Sequence, residues 1–437
     1  MNNPRLLAGL LCAALMSGGM RVSAQRVVTL EEVFAAAEKS SVQLRPAVTA
    51  VDVAQSEISI AESARLPEIT ASMSVGYNGD GFTTKRNFSD YERAPIPHLS
   101  TGLGVKVSQP VYMGGAVTNA IKMAELQSTA AQFAYDLHRD NIRFRLAGFY
   151  LDLYRLANLR KVIDANIVSA NEMLDLMRAR HEEGTAILND ITRYELLVAN
   201  LELQRVKLDN SMRIVNDNLV TTAGLPAGTV VVPDTTILAK ALPADGEEWW
   251  QVEATSNSPS LAMAATAIEI ADKAKALERS ERLPKVSLQA GWTMDGPILV
   301  EIPPINRNLS YWYVGVGVSY NISSLFKTNK KLKSKEIALR KAHEDYDAAQ
   351  EMLHLDVRAA YVRYLESYEE LKTQHKSVEL AGQNYAVATT RYSADMALIT
   401  DLLDAADARL DAESQLVNAK IDIVYNYYKL LFMSGKI

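Results

Sequence analysis

In the stretch ALITDLLDAADARLDAE, Ala397 to Glu413, Asp401 and Asp404 stand three residues apart, and Asp407 and Asp411 continue the acidic spacing. Carboxylates at that spacing share one face of a helix. Such a face can serve acid–base catalysis, hold a hard cation, line a passage, or be a solvated helix start matched to its dipole. The first two roles need further groups. The six histidines, His98, His138, His181, His343, His354 and His375, are scattered. No HExxH and no Cys/His cluster occurs, so no metal site is expected. His354 and Asp356 lie two apart and do not share a helix face. GLGVKVS lacks the ending of a phosphate loop, and GLPAG has no serine for a nucleophile elbow. No catalytic constellation and no cofactor site emerges.

The elements that carry these carboxylates start from the bulk of the chain. It has 437 residues, 48% hydrophobic and 22% charged, with net charge −6. That composition is neither disordered nor basic enough to hold nucleic acid. Residues 1–24 read as a cleaved signal peptide: Arg5, the apolar LLAGLLCAALM from Leu6, and small residues before Gln25. Its removal takes Arg5 and Arg21 away and moves the net charge from −6 to −8. The remainder contains no uncharged apolar run of about 18 residues, so no transmembrane helix is expected. Cys12, the only cysteine, follows Leu11 rather than a small residue, so lipidation is not expected. The mature chain then has no disulfide and no thiolate.

The chain is two copies of one plan. SSVQLRPAVTAVDVAQSEISIAESARLP from Ser40 resembles NSPSLAMAATAIEIADKAKALERSERLP from Asn257, a shift of 217. ARHEEGTAILNDI from Ala179 matches TRYSADMALITDL from Thr390, a shift of 211. The expected repeats are 25–224 and 249–437, joined by a linker or equatorial segment over 225–248. Each reads as a helix, a β-hairpin (68–112 and 285–322) and a long helical hairpin (114–224 and 327–433). Thr29 with Glu32 makes a capping-box pattern at the first helix, and each leading helix ends at its Leu-Pro.

The strands alternate. Ile69, Ala71, Met73, Val75 and Tyr77 share one face, as do Leu99, Leu103, Val105 and Val107. Val286, Leu288, Ala290, Trp292 and Met294 do the same, as do Trp312, Val314, Val316, Val318, Tyr320 and Ile322. Glycine, serine, lysine and asparagine dominate the other face. The helices carry a coiled-coil seam: Leu146, Phe149, Leu153, Leu156, Ile163, Ile167, Ala170, Leu174 and Met177, then Ile191, Tyr194, Val198, Leu201, Leu208, Met212, Val215 and Leu219. Arg160 and Arg205 interrupt it. A helix from Gly115 to His181 would be about 100 Å long. Two hairpins make too small a sheet to bury an apolar face alone. Three chains supply twelve strands, enough to close a barrel in lipid with no free edge. The fold class is therefore an α+β membrane protein, a homotrimer whose barrel is continued by an α-helical tube. Tyr77, Trp292 and Trp312 at the loop ends, and Tyr112 and Tyr320 at the opposite ends, fit interface girdles.

RLPEI and RLPKV entering strands, SQPVYMGG leaving one, RARHEEGTAILNDI at the first helical turn and LITDLLDA at the second resemble the TolC-type outer-membrane efflux proteins. The resemblance spans the mature chain. It implies a Gram-negative outer-membrane channel with a periplasmic helical extension. It also implies docking to a periplasmic membrane-fusion adaptor and an inner-membrane RND, ABC or MFS pump. It places the entrance rings at Asp401 and Asp404, and the closing contacts at Asp190 and Tyr392. The adaptor-docking tips fall at Gly184, Thr185, Asp395 and Met396. A third closing group of the family, an arginine, falls on Ala397, and the second tip glycine on Asp395. The first departure puts the ionic part of the lock in question, and the second the detail of adaptor contact at that tip. The competing class is a soluble periplasmic coiled-coil scaffold or adaptor, which has no use for four strands with an outward apolar face. The lysines of KTNKKLKSKE, Lys327 to Lys335, fit either lipid headgroups or a solvated helix start.

Overall fold

The computed structural model describes residues 25–234, 245–301 and 303–437. The expected signal peptide and Cys12 lie outside them, as does part of the linker. In chain order the elements begin with β1 (Gln25–Val28), α1 (Leu30–Ser40), α2 (Arg45–Ser63), β2 (Glu68–Tyr77), β3 (Gly81–Thr83), β4 (Glu92–Ala94) and β5 (Leu99–Tyr112). They continue with α3 (Ala116–Glu182) and α4 (Leu188–Ala223). After β6 (Val230–Pro233) come α5 (Glu247–Asn257), α6 (Pro259–Ser280), β7 (Lys285–Gly296), β8 (Leu309–Ser319), α7 (Ser324–Ser393) and α8 (Ile399–Met433). No described helix is long and apolar enough to cross a membrane.

Each leading helix is two helices, where the sequence pattern suggested one. Pro46 is the second residue of α2 and Pro259 the first of α6. Proline sets helical φ for a new first turn while disfavouring helix just before it, so a break falls there. The Thr29 hydroxyl caps α1, accepting from the Glu32 amide at 3.2 Å. The chain divides into two units, and the boundaries fall within α2, α3 and α7 and between α5 and α6.

One unit, Ala47–Tyr135 with Pro259–Gln350, holds an antiparallel sheet of order β2-β5-β7-β8. Its register aligns the alternating faces: Ile69 opposes Val107, Val107 opposes Ala290, and Ala290 opposes Val314. The opposite face pairs Ser72 with Gly104 and Gly104 with Thr293. The register shifts between Pro110 and Tyr112, where proline cannot donate to the ladder. Among the described residues nothing covers the apolar face: Met73 is 75% exposed, Val316 65% and Trp312 75%. The outer edges of β2 and β8 have no partner strand among the described residues.

The other unit joins Asp136–Ser258, Glu351–Ile437 and the chain up to Pro46. Its helices bury the expected seam. Ile163, Ile167, Ala170, Leu174 and Met177 of α3 pack in one core with Ile191, Tyr194 and Leu201 of α4, and with Tyr392, Ile399, Leu402 and Ala405 of α7 and α8. Four helices thus share that core, rather than one isolated hairpin. At the gap in the α3 seam, Arg160 reaches Asp209 of α4 at 3.0 Å. After α4, β6 pairs in parallel with β1, Val232 opposite Val27. Gly224 ends α4 at φ 67, and a Cβ there would come within 2.6 Å of the Ser40 backbone, so only glycine fits.

Candidate functional site: the paired helical turns

The turn from α3 to α4 and the turn from α7 to α8 have the same backbone. In the first, the Thr185 amide donates to the Arg180 carbonyl (2.8 Å) and Gly184 to His181 (2.9 Å). In the second, Met396 donates to Arg391 (2.8 Å) and Asp395 to Tyr392 (3.1 Å). Both are Schellman closures, which need a left-handed residue next to the helix end. Gly184 takes it at φ 79 and Asp395 at φ 59. Asp395 adopts a conformation that costs a non-glycine residue energy, though aspartate tolerates it better than most.

The side chains cross between the turns. The Tyr392 hydroxyl donates to Asp190 Oδ2 at 3.0 Å. Burial first, and the Asp190 carboxylate second, push the Tyr392 hydroxyl up to about 12. Arg180, whose side chain is 14% exposed, donates through Nη1 to the Tyr392 carbonyl at 3.2 Å and ion-pairs through Nη2 with Asp395. Its guanidinium also lies 5.8 Å from the centroid of the Tyr392 ring. One arginine of the first turn therefore holds the second turn by backbone, carboxylate and ring. Between the turns lies a groove of about 470 Å³, lined among others by Arg180, Asp190, Arg193, Tyr392, Asp395 and Ala397.

The acidic pair sits on the exposed side of α8, while Leu402 and Ala405 between and beside them are buried. Asp401 Oδ2 accepts from the Leu398 amide at 3.1 Å and so caps its own helix. Asp190, its counterpart in the first turn, reaches across to Tyr392 instead. Asp404, Asp407 and Asp411 follow helical spacing along one stripe. Burial first, and the neighbouring Asp404 charge second, raise the Asp407 carboxyl above the ordinary carboxylate range. No group of acids and histidines among the described residues could hold a metal ion.

The resemblance placed Asp190 against Tyr392 and left the ionic partner in question, with Ala397 where the family's arginine falls. The structure has an ionic contact through Arg180 and Asp395. One signal was legible: arginines recur at 180 and 391, the same place in both turns, and Arg391 donates to its own turn's Met396 carbonyl at 3.2 Å. Gly184, Thr185, Asp395 and Met396, the tips expected to dock an adaptor, all lie in these two turns and are exposed.

In the sheet, Tyr77 ends β2 and stacks on His98 at 5.2 Å. Tyr112 ends β5, and Tyr320 directly follows β8. Trp292 opposes Trp312, and the pairing continues past them to Asp295 with Leu309. The two tryptophans therefore sit three pairs in from the loop end, because the strands run further than the alternation alone marks. The Trp292 indole N–H donates to Ser310 at 2.9 Å.

Two blocks of this chain, residues 33–225 and 250–436, match the family described as outer membrane efflux protein. The chain belongs to the outer membrane efflux proteins. The gap between the blocks holds β6 and the segment leading into α5. This efflux protein is 24% identical over 434 residues to outer membrane protein TolC of Vibrio cholerae, covering 98% of this chain and 94% of that one. It is 22% identical over 424 residues to the pyoverdine export outer membrane protein OpmQ of Pseudomonas aeruginosa, covering 92% and 84%. Among solved structures it resembles the outer membrane protein VceC of Vibrio cholerae with a TM-score of 0.76 at 17% identity, over 93% of this chain and 96% of that one. It also resembles the open state of the MtrE channel of Neisseria gonorrhoeae, TM-score 0.72 at 16% identity, over 93% and 88%. The efflux protein is thus an exit channel of the outer membrane, and its helices and four-stranded sheet have the fold of such channels.

Proposed function

We propose that three copies of the efflux protein close a twelve-stranded barrel and form a passive duct for small molecules or secreted substrates, with energy supplied by a partner pump. The observation that carries this is the sheet: four strands, one continuous exposed apolar face, and two unpaired edges. In water such a sheet would be unstable and adhesive. In lipid its apolar face is solvated, and pairing β8 of one copy with β2 of the next removes every edge. The polar face of Gly, Ser, Thr, Gln and Lys106 then lines the lumen, and the aromatic residues at the strand ends mark the interfaces.

The helical turns are the entrance. Tyr392–Asp190 holds it closed, and Asp401 and Asp404, tripled by the three-fold axis, focus a negative potential that favours cations. Gly184, Thr185, Asp395 and Met396 meet the adaptor, which links the duct to an RND, ABC or MFS pump. Residues 1–24 direct export and are removed, and the mature chain is not lipidated. The test is flotation of the mature chain with vesicles, with light scattering for stoichiometry. The expected result is a vesicle-bound trimer. A chain that stays monomeric and soluble without detergent overturns the channel in favour of a periplasmic scaffold.

A further inference from the structure

Beyond the strand end of β8, the apolar face runs directly into a charged one. Val316, Val318, Tyr320 and Ile322 are exposed, and so is Phe326, at 76%, in the first turn of α7. Residues 327–341 of α7 then carry seven cations and a single acid, Glu336. The helix divides them. Ser324 and Thr328 are buried on the inner side. Lys331 pairs with Glu278 of α6 at 3.6 Å, and Glu336 is taken by Lys275 at 3.3 Å. On the outer side, Phe326, Lys330, Lys333 and Ile337 follow one another at spacings of four, three and four, with Lys327 beside them. Lys327, Lys330 and Lys333 are exposed and make no ion pair or hydrogen bond among the described residues.

Helix stability does not account for these lysines. Like charges three apart on a helix repel, and the first turns of a helix favour acids over cations. Helix α3, which follows β5 as α7 follows β8, needs none of them. Thr118-Asn119 of α3 corresponds to Thr328-Asn329 of α7, and Val117, Ala120 and Met123 then stand where Lys327, Lys330 and Lys333 do. Only one of the two repeats carries the charge, and it carries it where the exposed apolar band ends. A cationic stripe continuous with an exposed apolar surface complements a bilayer leaflet, with acyl chains against the sheet and phosphates against the lysines.

We propose that Lys327, Lys330 and Lys333 form a binding site for anionic phospholipid headgroups at the helix-proximal rim of the barrel. The site rests on the membrane reading above, and anchors the depth and rotation of the sheet in the leaflet that meets the helices. The test reconstitutes the full mature chain with an equimolar mixture of phosphatidylglycerol and phosphatidylcholine, repurifies it, and measures the ratio of the two lipids retained. The wild type should retain phosphatidylglycerol about fivefold over phosphatidylcholine, the effect of roughly one basic residue per bound headgroup. Lys327→Gln with Lys330→Gln and Lys333→Gln should bring the ratio to about one, whereas the corresponding Lys→Arg triple should keep it. Equal retention by the wild type, or enrichment surviving in the glutamine triple, overturns the site. Vesicle flotation of the same samples separates the two claims: chains that float without lipid preference sink this site alone, while chains that fail to float sink the barrel with it.

Discussion

The two helical turns share a backbone and differ in what their side chains do. At a shift of 211 residues, Arg180 stands with Arg391, His181 with Tyr392, Gly184 with Asp395, and Asp190 with Asp401. In each turn the arginine donates to a carbonyl, but Arg391 bonds within its own turn whereas Arg180 reaches the other. His181 contacts its own turn at the Ala186 carbonyl, 2.8 Å, while Tyr392 crosses to Asp190. Asp401 caps its own helix. Each of these crossing hydrogen bonds and ion pairs therefore uses Arg180 or Asp190 from the first turn and Tyr392 or Asp395 from the second. The two turns are equivalent in backbone, and a few differing side chains make them complementary. A lock between the turns needs that asymmetry.

The largest break of this asymmetry is Arg180→Ala. It removes a charge-assisted hydrogen bond to a backbone carbonyl, an ion pair and a ring contact at once, about 3 kcal/mol in favour of the closed turns, or a hundredfold in their ratio. Single-channel conductance in a planar bilayer should rise several-fold. Arg391→Ala, which loses only a contact within its own turn, should leave conductance near the wild type.

Tyr392→Phe removes one buried hydrogen bond, about 1 kcal/mol or fivefold, and should raise conductance less than Arg180→Ala. An unchanged channel would place the lock elsewhere. The same bond gives a pH signature. In an open tip the hydroxyl titrates near its ordinary value of about 10, and in the closed one up to about 12. The open form then releases the proton first, so the preference for closure is complete below about pH 10 and is lost as pH rises toward 12. Tyr392→Phe should abolish this alkaline opening.

Asp401→Ala with Asp404→Ala should lower cation preference and blockade by multivalent cations, read as reversal potential and block in the same bilayers. Because Asp401 also caps α8, alanine costs about 1 kcal/mol of helix stability besides. Asp401→Asn with Asp404→Asn keeps an acceptor and isolates the charge. Unchanged selectivity in both pairs would make the acids an ordinary helix face.

The smallest effect is Asp395→Gly, which makes the two turns more alike. It relieves about 1 kcal/mol of left-handed strain and gives up an ion pair whose carboxylate is well exposed, worth 0 to about 1 kcal/mol. Thermal stability should stay within a few degrees of wild type. Asp395→Asn, which keeps the tolerance for that backbone, should show the loss of the ion pair alone as a slight rise in conductance.

Much of this was legible before the structure. Period-two alternation fixed which residues share a strand face, and the observed register sets Met73, Leu103 and Met294 side by side. The three-four spacing marked the helix seam through Met177 and Leu201, because burial on one stripe leaves that trace. Asp190 and Tyr392 were found through the resemblance and not through spacing, since 202 residues separate them. Arg180 was missed because an arginine in a last helical turn commonly serves the dipole, and nothing local reveals a partner 215 residues away. The β1–β6 pair was missed for a related reason: four-residue strands show no period, and their pairing is decided entirely by tertiary contact. The breaks after α1 and α5 were written in Pro46 and Pro259, but a single helix fitted the apolar pattern as well.

The open edges of β2 and β8 also set a timetable. A sheet with two sticky borders and a greasy side is a template for fibrils in an aqueous compartment. On the export route proposed above, the chain passes through such a compartment before insertion, and each copy is then a hazard to every other. In the proposed trimer, ring closure needs three copies to meet, so its rate would climb steeply with concentration, and so would that of uncontrolled stacking. Arrival at the membrane decides between them, because lipid covers the greasy side and leaves the borders to find each other in one plane. In that proposed assembly the lone chain is a transit form whose safety depends on being brief or escorted, and overproduction should fill the periplasm with aggregates before it saturates the membrane.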